Sequence, residues 1–400
     1  MRILIVGNGL AGTMAAKTLR ELDSDVEIVT FADEKYPYYP RPNLIEYLAG
    51  RLALENIFAF SQDWHVRQKI EVHPASPVIG LSPGTQELEL AGGRREKYDR
   101  LLLATGASAY MPPIVGADKK GVFTLRTLDD AQAIFERLWT RPEAAVIGGG
   151  LLGLEIAKAM KARGSDVHII ESLEHLLPRH LDGHGAGTLK RYFDVAGIGV
   201  RLSEVAEEIL GGDEAEGLRL RNGTRINAGT VIIAAGVKPN LDLARSGGLA
   251  VDRGLVVDDF LRTSDARIFA AGDGIQHRGR TYGLIPPTFE QARTAAYNLL
   301  GQDKPYAGTV PSHTLKVAGL YLTSVGIVHP PDEGYQEIRR IIPEEGIYKK
   351  IVIRDDALVG AIWLGTRKGV NEIVRAVSSR LKVSRFTEHL LDDSFDFSIL

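Results

Sequence analysis

Two glycine-rich hexapeptides carry the spacing in this sequence that could do chemistry: Gly7-Asn8-Gly9-Leu10-Ala11-Gly12 and Gly148-Gly149-Gly150-Leu151-Leu152-Gly153. Each lies between an apolar run and a helical pattern. Glycines at the first, third and sixth places let the backbone approach a pyrophosphate, which then rests on unpaired amides at the start of the helix. The candidate contacts are Gly7, Gly9 and Gly12 with the backbone of Leu10 and Ala11, and Gly148, Gly150 and Gly153 with that of Leu152. A carboxylate about twenty residues past such a turn can accept ribose hydroxyls. Glu34 stands there after the first turn, with Asp33 as the neighbouring alternative, and Glu171 ends the strand after the second. Glu171 would repel a 2′-phosphate, and Ser172-Leu173-Glu174-His175 brings no Arg or Lys to bind one, so NADH is expected over NADPH.

Composition excludes much other chemistry. The sequence has no cysteine, which removes disulfides, thiolate nucleophiles, iron–sulfur ligation and cysteine zinc sites. Redox chemistry must come from a bound cofactor. His175, His180, Asp182 and His184 are clustered but lack the helical or finger spacing of a metal site, so no metal is expected. A formal net charge of −3 and the lack of a Lys/Arg block argue against nucleic acid as a partner. No apolar run approaches the roughly 18 residues needed to cross a bilayer, so membrane insertion is not expected. Met1 to Gly7 reads straight from a strand into the glycine turn, leaving no room for a signal peptide, and a cytoplasmic location is the expectation.

The turns need strands and helices to hold them. Strand Ile3 to Val6, an Ala-rich helix from about Gly9 to Leu22 and strand Val26 to Phe31 form a βαβ beginning. Strand Ala144 to Ile147, a helix from about Leu151 to Arg163 and strand Asp166 to Ile170 repeat it, which implies two nucleotide sites. Short β-rich pieces, Ile70 to Val72 and Glu87 to Leu90, and the strand Leu101 to Ala104 complete the first unit; Val231 to Ala235 ends the second. From Pro311 onward, alternating strands (Leu315 to Val317, Lys349 to Ile353, Leu358 to Trp363) precede a helix from about Gly369 to Leu381. The expected fold is α/β: two Rossmann-like dinucleotide-binding domains, over residues 1–112 with 245–310 and over 113–244, plus a small C-terminal α+β domain over 311–400.

Three segments, Leu102-Leu103-Ala104-Thr105-Gly106-Ala107, Ile233-Ala234-Ala235-Gly236-Val237-Lys238-Pro239-Asn240 and Ile268-Phe269-Ala270-Ala271-Gly272-Asp273, together resemble the two-dinucleotide-binding-domain flavoprotein superfamily. Tyr36-Pro37-Tyr38-Tyr39-Pro40-Arg41-Pro42-Asn43-Leu44 is similar to the segment after the second strand in NADH:rubredoxin reductases, oxygenase-type ferredoxin reductases and the reductase part of NADH-dependent nitrite reductases. The resemblance implies FAD at the first site. Gly7, Gly9 and Gly12 would face the pyrophosphate, Glu34 the ribose and Arg41 the phosphates; Val78 would touch adenine through its backbone. Ala104, Thr105 and Gly106 would line the FAD, Gly272 and Asp273 would close on the ribitol, and Phe289 and Glu290 would lie where a helix start approaches the flavin pyrimidine. NADH would take the second site on Gly148, Gly150, Gly153 and Glu171, with Gly236 letting the nicotinamide come close to the isoalloxazine.

The implied reaction is hydride transfer from nicotinamide C4 to flavin N5, which needs close stacking and exclusion of water but no protein nucleophile. Glu155 matches a carboxylate that in the family sits near flavin N5 and the nicotinamide amide. It commonly pairs there with a Lys, and the position of that Lys is held here by Glu46. Two carboxylates facing each other would raise a pKa or recruit a cation. Lys316 resembles a Lys near the flavin whose charge would stabilise the anionic reduced form. Without a cysteine pair, disulfide reductases are excluded, and electrons must leave the flavin directly. The expected acceptor is a small one-electron carrier of rubredoxin or ferredoxin type, or a partner reductase subunit. The alternatives are a quinone or small-molecule reductase, and an NADH-sensing flavoprotein resembling apoptosis-inducing factor. The C-terminal domain is the expected homodimer interface or docking face.

Overall fold

The computed structural model describes residues 1–61, 63–309, 312–317, 319–383, 389–392 and 395, the strand Ser312–Val317 by its backbone alone. The chain divides into two units, one of Met1–Leu44, Leu52–Ser108 and Val237–Thr309, the other of Ile45–Arg51, Ala109–Gly236 and Val310–Leu400.

The first unit is built on a parallel sheet in the order Ile268–Ala270, Arg100–Leu103, Arg2–Val6, Glu27–Phe31, Glu71–His73. A parallel sheet covered on both faces needs apolar residues on both sides of each strand, and Ile3-Leu4-Ile5 and Leu101-Leu102-Leu103 are accordingly buried throughout. The helices Leu10–Leu22 and Ile285–Leu299 pack against each other. Their buried faces are small, with Ala11, Ala15 and Ala16 on the first and Ala292, Ala295 and Ala296 on the second, so the two backbones come close. A small antiparallel sheet, Val78–Ser82, Glu87–Leu90 and Arg95–Lys97, is inserted after the last edge strand.

The second unit repeats the plan and adds to it. Its parallel sheet runs Gly199–Arg201, Asp166–Ile170, Glu143–Ile147, Thr230–Ile233, Val122–Phe123. The helix Leu128–Thr140 starts with a capping box in which Thr127 and Asp130 satisfy each other's backbone amides. The C-terminal part is an antiparallel sheet in the order Ser312–Val317, Leu320–Gly326, Ala357–Leu364, Ile347–Arg354, Gln336–Ile342, with the helix Val370–Ser378 packed on it.

The strand Ile347–Arg354 buries two consecutive lysines. Lys350, 2% exposed along its side chain, pairs with Asp182 at 3.0 Å and Glu337 at 2.7 Å and donates to the Val328 carbonyl at 3.0 Å. Asp182 caps the helix Gly183–Val195 through the Gly185 amide and also accepts the Tyr348 hydroxyl at 2.6 Å. Burial pushes the Asp182 carboxyl up, but the Tyr348 hydroxyl, the Gly185 amide and the Lys350 ammonium outweigh it and hold the pKa at about 2. A carboxylate depressed by folding stabilises the protein above its ordinary pKa and loses that contribution as pH falls through the folded value. The contribution, about 2 kcal/mol, is therefore full near neutrality and disappears between about pH 4 and about pH 2. Asp182→Asn is expected to lower Tm at neutral pH and to flatten the fall of Tm over that acid window. Thermal unfolding followed across pH measures both, and an unchanged acid slope would remove Asp182 as its cause.

Candidate nucleotide sites

At the first turn the strand Arg2–Val6 ends at Gly7, whose φ is +110° and whose Cβ would lie 2.2 Å from the Ala104 carbonyl oxygen. A Cβ on Gly12 would lie 1.8 Å from the Gly7 carbonyl oxygen. Backbone touches backbone at both places, so no side chain fits. At Gly9 a Cβ would meet nothing within 4 Å, which leaves this face of the turn open to a ligand. Gly9 is also the N-cap of the helix Leu10–Leu22, and among the described residues no side chain caps its amides. Beside them Asn8 Nδ2 is buried with no hydrogen-bond partner among the described residues. An open glycine cradle, uncapped amides and an orphaned donor together fit an anionic dinucleotide.

The walls of this turn are held from a distance. Ala104 donates its amide to the Val6 carbonyl at 2.8 Å. Asn240 clamps the next two residues: its Nδ2 donates to the Thr105 carbonyl at 2.9 Å, and its amide donates to the Gly106 carbonyl at 3.0 Å. The Thr105 hydroxyl returns a bond to the Asn240 carbonyl at 3.1 Å. Gly272 has a φ of +98° and stands over the start of the first helix, its Cβ position 3.1 Å from the Ala11 Cβ. Half-buried Asp273 follows it. Glu34 accepts Arg41 Nη2 at 2.6 Å and the Tyr39 hydroxyl, while Arg41 Nη1 donates to that hydroxyl at 2.7 Å. Arg41, read from sequence as a phosphate contact, is thus brought onto the candidate ribose carboxylate, whereas Asp33 is exposed. Val78 opens its strand. Phe289 and Glu290 are exposed early in the helix Ile285–Leu299, behind Pro286 and Pro287, which suit the first helical turn because they lack amide donors.

The second turn shares the construction. Gly148 has a φ of +120° with its Cβ position 2.5 Å from the Ala234 carbonyl oxygen, a Cβ on Gly153 would lie 2.0 Å from the Gly148 oxygen, and Gly150 is open. Glu171 is 7% exposed and accepts the amides of Gly149 at 2.7 Å and Leu173 at 2.8 Å. Gly236, with a φ of +99°, would carry a Cβ into open space. Leu152 is exposed on the helix Leu151–Ala162.

Glu46 and Glu155 both act on one cation that sequence reading did not pick out. Arg51 grips Glu46 through Nε at 2.7 Å and Nη2 at 2.9 Å. Its pKa is raised first by that hydrogen bonding and then by the charges of Glu46 and Glu155. Arg163, next after the helix Leu151–Ala162, donates to the Leu48 carbonyl at 3.0 Å and so ties the segment bearing Glu46 to the helix bearing Glu155. The side chain of Lys316 lies outside the described residues. His180 sets Nδ1 3.2 Å from the Ser324 hydroxyl, and among the described residues no group of three or more His, Asp or Glu could hold a metal ion. No helix among the described residues is long and apolar enough to cross a membrane.

Comparison with known proteins adds to this geometry. The family model described as pyridine nucleotide-disulphide oxidoreductase matches residues 1–298, and that described as the rubredoxin NAD+ reductase C-terminal domain matches residues 311–381. The chain is 35% identical over 385 residues to a nitrite reductase (NAD(P)H) of Bacillus subtilis, covering 96% of this chain and 48% of that protein. It is 32% identical to the NADH-rubredoxin oxidoreductase of Clostridium acetobutylicum, covering 92% and 93%. It spans about half the length of the nitrite reductases it matches. The crystal structure of the Clostridium acetobutylicum enzyme superposes with a TM-score of 0.84 at 30% identity, covering 98% of each chain. The putidaredoxin reductase of a covalent complex with putidaredoxin superposes at 0.90 and 27% identity, covering 99% of this chain and 97% of that one.

Proposed function

Because the chain belongs to the pyridine nucleotide-disulphide oxidoreductase family, we propose that it is an FAD-dependent NADH:acceptor oxidoreductase that delivers electrons to a small carrier of rubredoxin or ferredoxin type, or to a partner reductase subunit. The observation that carries this reading is the pair of glycine turns, each closed by backbone contact and open at its third glycine, in a chain without a cysteine.

Bound FAD and NADH would supply the hydride and electron chemistry; the chain supplies position and charge. Gly7, Gly9 and Gly12, with the amides of Leu10 and Ala11, would hold the FAD pyrophosphate. Glu34 would accept its ribose hydroxyls once Arg41 turns toward the phosphates, and Asp273 would hold the ribitol. Ala104, Thr105 and Gly106, clamped by Asn240, would form the wall, with Val78, Phe289 and Glu290 at the two ends of the ligand. Gly148, Gly150, Leu152 and Gly153 would hold NADH, and Gly236 would keep the nicotinamide face free of side chains. Glu155 would orient the carboxamide. With no cysteine in the chain to serve as a thiol relay, the acceptor would take its electrons from the bound flavin directly.

Glu171 supports the choice of NADH. Its carboxylate is fixed by two amides at the end of its strand, where a 2′-phosphate would be repelled. Glu171→Gln, which keeps the shape and removes the charge, is expected to cut the preference for NADH over NADPH by about tenfold. The whole proposal is tested by anaerobic stopped-flow reduction with each nucleotide, followed by reoxidation against rubredoxin, ferredoxin, quinones and oxygen. Flavin reduction by NADH and fastest reoxidation by a protein carrier are expected. Fastest reoxidation by a quinone would turn the reading to a quinone reductase.

A further inference from the structure

Gln291 lies on the helix Ile285–Leu299 and is 0% exposed. The buried face of this helix carries Ala292, Ala295 and Leu299 beside the polar Thr288, Thr294 and Asn298, so each polar group there needs a partner within the protein. A buried carboxamide is tolerated only when its donor and acceptor are both used. Here both are. Oε1 accepts the Gly272 amide at 2.9 Å, and Nε2 donates to the Tyr306 hydroxyl at 3.4 Å.

Gly272 has an uncommon backbone conformation. It follows the strand Ile268–Ala270, sits in the left-handed region with φ +98°, and takes its place over the first helix with 3.1 Å between its Cβ position and the Ala11 Cβ. The chain that carries Tyr306 is itself fixed to the helix. Asn298 binds both the amide and the carbonyl of Lys304, at 2.6 and 2.8 Å, and the Tyr306 amide donates to the Asp259 carbonyl at 2.6 Å. The Tyr306 hydroxyl also lies 2.7 Å from the Thr309 hydroxyl, which donates to Glu290 at 2.5 Å. A continuous line of hydrogen bonds thus runs from the Gly272 amide to an exposed carboxylate.

We propose that Gln291 is a positioning residue for the flavin: it sets the Gly272–Asp273 turn over the first glycine turn, and Tyr306 holds it in place. The inference rests on the reading that this site takes FAD. Its consequence is that a residue with no contact to the ligand controls cofactor retention.

The test uses the full chain with Gln291→Met, which is nearly isosteric but removes the acceptor, and Tyr306→Phe, which leaves the carboxamide donor unpaired. Three quantities are measured: the FAD Kd by titration of flavin-free protein, amide hydrogen exchange of the segment containing Gly272, and Tm of the flavin-free protein. Gln291→Met is expected to raise Kd about tenfold or more and to speed exchange at the turn, and Tyr306→Phe to raise Kd about threefold. A fall in Tm with Kd and exchange unchanged would make Gln291 a packing residue only and overturn the inference, leaving the FAD site standing. If the unaltered protein takes no FAD, both fall together. Should Gln291→Met not fold, wild-type FAD affinity in Tyr306→Phe is sufficient to overturn it.

Discussion

Gly12→Val is expected to yield a colourless protein that cannot be reconstituted with FAD, while Gly153→Val stays yellow and is no longer reduced by NADH. The first β-carbon of a side chain at Gly12 would lie 1.8 Å from the Gly7 carbonyl oxygen, and at Gly153 2.0 Å from that of Gly148. Overpacking in a core usually costs about 1–3 kcal/mol because neighbours shift. Here the neighbour is the turn that would carry the pyrophosphate, so the shift falls on the ligand contacts themselves. A hundredfold loss of affinity, about 2.7 kcal/mol, is a conservative expectation at each site. Absorbance of the purified variants and anaerobic titration with NADH separate the two effects. Full flavin content in Gly12→Val would mean that FAD does not sit on this turn.

Glu155→Ala is expected to slow flavin reduction by NADH by about tenfold to hundredfold with flavin content unchanged, the cost of a misplaced reactant. Arg51→Met should act in the same direction and far more weakly, about threefold, because its pair with Glu46 is half exposed and screened by water. Pre-steady-state reduction rates over a range of NADH concentrations report both. A wild-type limiting rate in Glu155→Ala would remove this carboxylate from the nicotinamide's surroundings. An effect of Arg51→Met larger than that of Glu155→Ala would show that Arg51 acts by itself.

The two glycine turns were legible because everything that makes them is local: a strand, three glycines at fixed spacing and the helix they open. The parallel sheets were legible for the same reason, since strands covered on both faces read as unbroken apolar runs such as Ile3-Leu4-Ile5. The helix Leu128–Thr140 was passed over although Thr127 and Asp130 are a capping-box signal. Gly183, Gly185 and Gly187 hid the start of the helix Gly183–Val195, whose glycines weaken its helical propensity. Strand Gln336–Ile342 escaped notice because it is a half-exposed edge strand and carries Arg339 and Arg340. Asn240 and Gln291 were unreadable as site residues for a different reason. Asn240 is 135 residues from Thr105, and Gln291 is 19 from Gly272, so their partners are chosen by the fold and not by any short spacing.

The two lysines of the strand Ile347–Arg354 determine more than its stability. Successive side chains on a strand point to opposite faces. Lys349 lies over the Trp363 ring at 5.4 Å and donates to the Leu391 carbonyl at 3.4 Å, while Lys350 is bound by Asp182 and Glu337. A slip of one residue against either neighbouring strand would turn each lysine to the opposite face and take Lys350 away from Asp182 and Glu337, leaving a buried ammonium group without those carboxylates. An apolar strand of this kind could tolerate misalignment with its neighbours. This one carries a buried lysine on each face, so mispairing in the C-terminal sheet has an electrostatic cost set by two adjacent residues.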